Sequence, residues 1–145
     1  MVMRYLGLDV GEKRIGVAVG ESLASELTTI IAAKNKGFYE TASANEAYEK
    51  LEKIIQSEQT DAIVVGLPVN EEGGLTSEAQ KIKKFGDGLT EALDCVVHYV
   101  NETLTTFMAS EMLESQGLSV AEAKLRVDQL AAQLILQQFL EENVT

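Results

Sequence analysis

The chain has 145 residues, of which 46% are hydrophobic, and a formal net charge of −11 at pH 7. A chain of this length buries about two-thirds of the surface that its unfolded form exposes, so we expect one domain over residues 1–145. The single cysteine, Cys95, excludes an internal disulfide framework and a thiolate zinc site. The acidic balance argues against nucleic acid as a partner, although a divalent metal would offset acids clustered at a site.

Cellular location is predicted from what the sequence lacks. It does not begin with a leader-like charged and apolar segment, and no stretch approaches the roughly 18 apolar residues of a membrane span. One cysteine also suits a reducing compartment. We therefore expect a cytoplasmic protein with no membrane partner.

The first third of the chain predicts three strands. Residues 4–10 and 15–19 are apolar segments joined by the turn "GEKR", which is typical of a hairpin. The β-rich segment 27–33 would extend the hairpin to three antiparallel strands.

Two helices and two buried strands are predicted next. Ser43, with Glu46 three residues later, predicts a helix to about residue 57, and Ser77, with Gln80, predicts another to about residue 93. Each is followed by an apolar run, "DAIVVGLPV" and "CVVHYV", which is typical of a strand buried on both faces.

The last third is helical. A helix from about Thr106 ends at Gly117, and a capping box from Ser119 to Glu122 starts the final helix. The order β-β-β-α-β-α-β-α-α predicts an α/β fold with a mixed sheet and helices packed against it.

Three acids are candidate functional residues. Asp9 interrupts an apolar strand near its end, Glu102 follows the last strand, and Asp128 adjoins the apolar stripe of the last helix. In sheets with βα crossovers, ligands gather at the carboxyl ends of the parallel strands. Carboxylates that converge there are ligands for a hard cation such as Mg²⁺ or Mn²⁺, which stabilises oxygens during displacement at phosphorus. The alternative for Asp9 is a simple ion pair with Lys13 or Arg14.

Four segments carry a family resemblance that covers nearly the whole chain. "LGLDVGEKRIGVAV", "VVGLPVNEEGG" with "SEAQKIKKF", "NETLTT" and "KLRVDQLAAQLIL" resemble the characteristic blocks of the YqgF/RuvX-like family of the ribonuclease H-like superfamily. The resemblance implies a ribonuclease H-like mixed sheet, three antiparallel strands and then two parallel ones, with helices on both faces. It also implies a metal-dependent nuclease whose active-site acids match Asp9, Glu102 and Asp128.

The resemblance implies two candidate substrates, and this chain differs from the family pattern in one place. The family is described as maturing the 5′ end of pre-16S rRNA and as Holliday junction resolvase-like, which leaves precursor ribosomal RNA and branched DNA both open. Where the family has Asp-Glu-Arg before Leu-Thr-Thr, this chain has Asn101, Glu102 and Thr103. The lost Asp would lower metal affinity if it were a ligand, and the lost Arg would weaken substrate binding if it held phosphate.

Five further residues are candidates for substrate binding. Lys13 and Arg14 would hold phosphate beside the metal, or simply lie exposed in a turn. Gly11 would admit a phosphate near Asp9 or supply a positive φ. Asn70 would shape the floor of the site, and Thr105 would contact phosphate or cap the third helix. The lysines at 81, 83 and 84 are interpreted as a solvated helix face.

Two other functions compete with the nuclease. "LDVGEKRIG" also resembles the phosphate-binding hairpin of sugar kinases and actin-like ATPases, although those enzymes bind nucleotide between two lobes and this chain provides one. A non-catalytic module that binds ribosomal or processing proteins through an acidic surface is the third hypothesis, favoured by Asn101, Thr103 and the net charge.

Overall fold

The computed structural model describes residues 2–70, 72, 74–102 and 105–143. These residues form nine elements in the order that the sequence predicts. They are β1 (Tyr5–Val10), β2 (Arg14–Gly20), β3 (Ala24–Ile31), α1 (Thr41–Glu58), β4 (Ala62–Pro68), α2 (Ser77–Leu93), β5 (Val97–Glu102), α3 (Thr105–Ser115) and α4 (Val120–Asn143).

The five strands form one mixed sheet in the order β3-β2-β1-β4-β5. β1 pairs antiparallel with β2, and β2 with β3, whereas β4 runs parallel to both β1 and β5. The predicted arrangement of three antiparallel strands followed by two parallel ones is therefore confirmed. Because β1, β4 and β5 run in the same direction, their carboxyl ends at Val10, Pro68 and Glu102 share one edge of the sheet, here called the active edge.

Helices cover both faces of the sheet, as predicted, and the alternation of β1 shows how. Leu6 and Leu8 belong to the core that α1 and α2 form on one face. Tyr5, on the opposite side of the pleat, belongs to the core that α4 forms on the other face. Asp9 shares the α4 side with Tyr5, because every second residue of a strand points to the same face. α3 packs on α4 through a third apolar cluster.

The predicted helix caps are correct at one helix and wrong at two. Ser119 Oγ accepts a hydrogen bond from the Glu122 backbone N–H at 3.2 Å, which confirms the start of α4. α1 begins two residues before Ser43, whose side chain is buried in the fold and does not cap. At α2 the cap is Thr76, whose Oγ1 accepts from the Ala79 N–H at 3.0 Å, so the capping box predicted at Ser77 is wrong by one residue.

Two strand boundaries also differ from the prediction. β3 begins at Ala24, three residues early, because its pairing with β2 continues to Gly20. β5 ends at Glu102, which pairs with Pro68 of β4. Glu102 is therefore the last residue of a strand, and the prediction that it lies just past the strand is wrong by one position.

Two glycines of the N-terminal hairpin let α4 lie against the sheet. A Cβ at Gly7 would stand 2.7 Å from Leu136 Cβ, and a Cβ at Gly16 would overlap the backbone carbonyl of Asp128. Side chains at these positions would clash with the helix. The backbone of α4 therefore lies directly against β2 at Gly16, which pairs with Asp9 on the neighbouring strand.

We expect the substitution Gly16→Ala to destabilise the protein by about 3 kcal/mol, because either α4 or β2 must move to relieve a clash with backbone atoms. Urea unfolding measures the change. Gly74→Ala is the matched control: its added methyl would meet only the flexible Asn70 side chain, at 3.2 Å, and we expect a loss below about 1 kcal/mol. Equal losses in the two variants would contradict this role for Gly16.

Candidate active site

Asp9 lies between two glycines on neighbouring strands. It pairs with Gly16 of β2, and the pairing of Leu8 with Val65 places Gly66 of β4 on its other side. Neither neighbour carries a side chain, and the space that a side chain would take is filled by the Asp128 backbone at Gly16 and by Ile135 and the Glu102 carboxylate at Gly66. The two glycines thus let α4 and the Glu102 carboxylate come close to the lone acid of this apolar strand.

Glu102 and Asp128 approach Asp9 from opposite sides. A Cβ at Gly66 would stand 2.9 Å from Glu102 Oε2, so the Glu102 carboxylate leans over Gly66 from the end of β5. The backbone of Asp128 lies over Gly16, on the α4 side. The side chain of Glu102 is buried, and that of Asp128 is 15% exposed. Three acids that are distant in sequence are therefore brought to one place at the active edge.

The electrostatics of Asp9 reflect this arrangement. Burial, followed by the negative charges of Glu102, Asp128 and Glu78, raises the pKa of Asp9 to about 8, and Arg14 opposes the shift. Burial disfavours the charged form of a carboxyl group, and nearby carboxylates add to the effect. At neutral pH, without a bound cation, Asp9 is therefore mostly protonated.

The two cations of the hairpin turn do not neutralise Asp9. Arg14 Nε donates to Asp128 Oδ2 at 2.6 Å, and Lys13 Nζ donates to the backbone carbonyl of Lys36 at 2.6 Å. Within the described residues, no hydrogen bond or ion pair reaches the Asp9 carboxylate. The ion-pair interpretation of Asp9 is thus wrong for Lys13, and Arg14 acts on Asp9 only through its charge.

The donor set has the chemistry of a hard-cation site, but it is not assembled around one. Carboxylate oxygens are the ligands that Mg²⁺ and Mn²⁺ prefer, and a cation would relieve the repulsion that raises the pKa of Asp9. Among the residues that the structure describes, no group of three or more His, Cys, Asp and Glu side chains is close enough to hold a metal ion. A cation would therefore have to draw the three carboxylates together, and Asp128 would have to share or leave Arg14.

The other predicted binding residues occupy the same edge but have other contacts. The φ of Gly11 is not positive, so its backbone conformation is not strained. Its N–H donates to the Arg14 carbonyl at 2.9 Å. Asn70 Oδ1 accepts from the N–H groups of Glu72 and Gly74, which shapes its own loop. Thr105 is the first residue of α3, and its side chain, like the whole of Thr103, lies outside the described residues.

One acid near the site, Glu78, is not among the residues that the sequence analysis singled out. Glu78 lies in the first turn of α2, which follows β4, and it contributes to the raised pKa of Asp9. Together with Glu12, Tyr39, Ser77 and Lys81 it lines a pocket of about 220 Å³. Its position after a central parallel strand was the available signal, because helices that follow such strands begin at the ligand-binding edge.

Comparison with known proteins identifies relatives over almost the whole chain. The profile of the RuvX family, described as Holliday junction resolvase, matches residues 3–142. A protein of Caldanaerobacter subterraneus subsp. tengcongensis named "Putative pre-16S rRNA nuclease" is 38% identical, covering 97% of this chain and 98% of its own. A protein of Chloroflexus aurantiacus with the same name is 37% identical over 94% of this chain and 85% of its own.

Solved structures support the ribonuclease H-like fold. The chain resembles Thermus thermophilus RuvC in complex with a Holliday junction substrate, with a TM-score of 0.60 and 14% identity, over 99% of this chain and 98% of that one. A second Thermus thermophilus RuvC structure gives a TM-score of 0.56 at 13% identity, over 97% and 95% of the two chains.

No helix in the described part of the chain is long and apolar enough to cross a bilayer.

We expect Asp9→Asn to stabilise the metal-free protein, and to do so more strongly as the pH rises. The folded pKa of about 8 lies above the usual value of 3.8. Between these values the folded state binds more protons than the unfolded chain, so the wild type loses stability as the pH rises towards 8. Asn does not titrate, and we expect it to stabilise the fold by about 1–3 kcal/mol at pH 8 and by less at pH 5.

Urea unfolding in EDTA at pH 5 and pH 8 measures this difference. The exposed Asp94 at the end of α2 provides the matched control, because Asp94→Asn makes the same chemical change away from the active edge. A gain for Asp9→Asn that is equal at the two pH values would contradict the raised pKa of Asp9.

Proposed function

The chain belongs to the RuvX family, and we propose that it is a metal-dependent nuclease that hydrolyses phosphodiester bonds in structured nucleic acid. The observation that carries the proposal is the position of Asp9 between two glycines, which let Glu102 of β5 and Asp128 of α4 approach it. An acidic protein has little other reason to concentrate carboxylates in a buried place, since each charge there raises the cost of the others.

Asp9, Glu102 and Asp128 would hold Mg²⁺ or Mn²⁺ at the active edge. When bound, such an ion supplies positive charge for the phosphate oxygens and lowers the pKa of bound water. Asp9 must give up its proton before it can serve as a ligand. Arg14, whose side chain is half exposed while it holds Asp128, is placed to position that carboxylate and to contact a phosphate of the substrate.

The departure at position 101 leaves this set of acids intact. Asn101 and Glu102 are successive residues of β5, so their side chains point to opposite faces of the sheet. Glu102 leans towards Gly66 on the α4 side, whereas Asn101 is exposed. An acid at position 101 would have started on the far side of the sheet from Asp9, which favours retained activity over a non-catalytic module.

The favoured substrate is precursor 16S ribosomal RNA, cut to form its 5′ end. The names of the two relatives at 37% and 38% identity support this choice. This role places the protein in the cytoplasm, beside ribosomal or processing proteins.

The second candidate is branched DNA, favoured by the description of the matching family and by the similarity in fold to a RuvC bound to a Holliday junction. Lys13, Gly11 and Thr105 remain proposed phosphate contacts at this edge, and Asn70 remains proposed to shape the floor of the site.

Metal binding should release protons. Because the pKa of Asp9 is about 8, we expect Mn²⁺ to displace about one proton per ion at pH 7. Calorimetric titrations in buffers with different ionisation enthalpies measure that number. Asp9→Asn should lose the proton release together with most of the affinity, and Asp94→Asn should keep both. Tight binding to the wild type at pH 7 without proton release would contradict this assignment.

Cleavage tests the function itself. With Mn²⁺, we expect the protein to cut a 16S rRNA precursor that carries its 5′ extension, and Asp9→Asn to slow cleavage at least about 100-fold, because the charge that holds the ion is lost. Asp94→Asn should cut at the wild-type rate. Primer extension maps the product ends. Unchanged cleavage by Asp9→Asn would refute the mechanism, and cleavage of a four-way DNA junction alone would select the second substrate.

A further inference from the structure

A groove between α1 and α2 lies on the opposite face of the sheet from α4. Its volume is about 760 Å³, within the usual range for ligand sites. Its floor includes the buried rings of Tyr48 and Phe85, which pack at 5.0 Å between centroids. Tyr48 is fixed there, because its hydroxyl donates to the Phe85 carbonyl at 2.9 Å and a Cβ at Gly88 would overlap that hydroxyl.

Tyr39 and Lys81 connect this groove to the active edge. Both residues line the groove, and both also line the smaller pocket that includes Glu12 and Glu78. Lys81 Nζ stands over the Tyr39 ring, 5.8 Å from its centroid. Glu12 lies in the hairpin turn that follows Asp9 and β1, so the two cavities form a path from that turn along α2.

The charges of the groove differ from those of the rest of the protein. The chain has a net charge of −11, but Lys81 and Lys84 line the groove and have no ion pair with any described residue. The acid Asp87 is already occupied, since Oδ2 contacts Lys83 at 3.0 Å and Oδ1 accepts from the Tyr99 hydroxyl at 2.6 Å. The groove therefore presents two cations without an ion pair to the described residues beside an aromatic floor, with the acid Glu91 also lining it in the last turn of α2.

We propose that this groove binds a single-stranded segment of the nucleic acid on one side of the cleaved bond, with a base against Tyr39 and phosphates at Lys81 and Lys84. The inference rests on the proposed function, because it specifies where the strand leaves the active edge. Aromatic rings beside cations are the usual means of holding single strands, since every base has a face that stacks and every nucleotide has a phosphate. A paired duplex would keep its bases inside the helix and could not use the aromatic floor.

The Tyr39 ring is neutral and partly exposed, as stacking with a base requires. Burial, with the negative charges of Glu78, Glu12 and Asp9, raises the pKa of Tyr39 to about 12. The ring is therefore neutral at physiological pH and is partly exposed. In the free protein Lys81 covers its face, and this lysine is free to move to a phosphate when a base replaces it.

Binding of a fluorescein-labelled oligouridine in EDTA, followed by anisotropy, tests the groove without any cleavage. In the variant Lys81→Gln/Lys84→Gln we expect affinity to fall about tenfold, and the slope of log affinity against log salt to fall by about 1.4, or about 0.7 per lost phosphate contact. Tyr39→Leu should weaken binding about tenfold at an unchanged salt slope, because it removes stacking alone. Tyr39→Phe should restore the wild-type affinity.

The matched control is Lys50→Gln/Lys53→Gln on the exposed side of α1. It removes the same charge from outside the groove and should leave affinity almost unchanged. The measurement is made in EDTA and involves no cleavage, so a failure of the nuclease mechanism does not alter this result. All four lysines are exposed, so their substitution does not disturb the core.

Three results would overturn the proposal. Equal losses of affinity in the two lysine pairs would mean that only total charge matters. Wild-type affinity in Tyr39→Leu would mean that no base stacks on the Tyr39 ring. A wild type that does not bind the oligonucleotide at low salt would leave the groove to a protein or a small ligand.

Discussion

The close packing of α4 on the glycines of the sheet is the constraint on which the active edge depends. Gly16 lets the backbone of Asp128 lie against β2, and Gly66 leaves space for the Glu102 carboxylate. Asp9 lies between these positions on β1. A larger side chain at Gly16 would lift α4 and carry Asp128 away, whereas one at Gly66 would displace Glu102. The geometry of the acids is thus set by residues that have no side chain.

The same packing brings negatively charged groups close together, and their repulsion is reduced in two ways. Asp128 is paired with Arg14 at 2.6 Å, whereas Asp9 retains a proton because its pKa is raised to about 8. Both arrangements are reversible, since a proton leaves readily near neutral pH and a half-exposed arginine can shift to a phosphate. The metal-free edge therefore holds a proton and a guanidinium where the working enzyme would hold a divalent cation and a substrate phosphate.

The sequence was sufficient for the fold and singled out three acids whose role stays a prediction, but it did not show their contacts. The periodicity of apolar residues predicts the order of the elements and the mixed sheet. Asp9 is singled out because a charge in an apolar strand is costly unless it is paired or bound to a cation. The start of α1 was missed because tertiary packing buries Ser43, which local patterns do not show. The pair between Arg14 and Asp128 joins residues 114 positions apart, so no local rule could identify it. The effect of Glu78 on Asp9 likewise depends on distance in space.

The net charge of −11 is a weaker objection to a nucleic-acid substrate than it is at first sight. At physiological ionic strength, interactions between exposed charges fade over about 8 Å, so a bound strand responds mainly to the groups beside it. At the active edge those groups are Arg14 and the cation that the carboxylates would hold in the proposed mechanism, and in the groove they are Lys81 and Lys84. The remaining acids act as a background that lowers affinity for unspecific polyanions. With the proposed cation and groove, a strand would have to reach both together to offset that background, and the acidic surface would then favour substrates with a single-stranded arm.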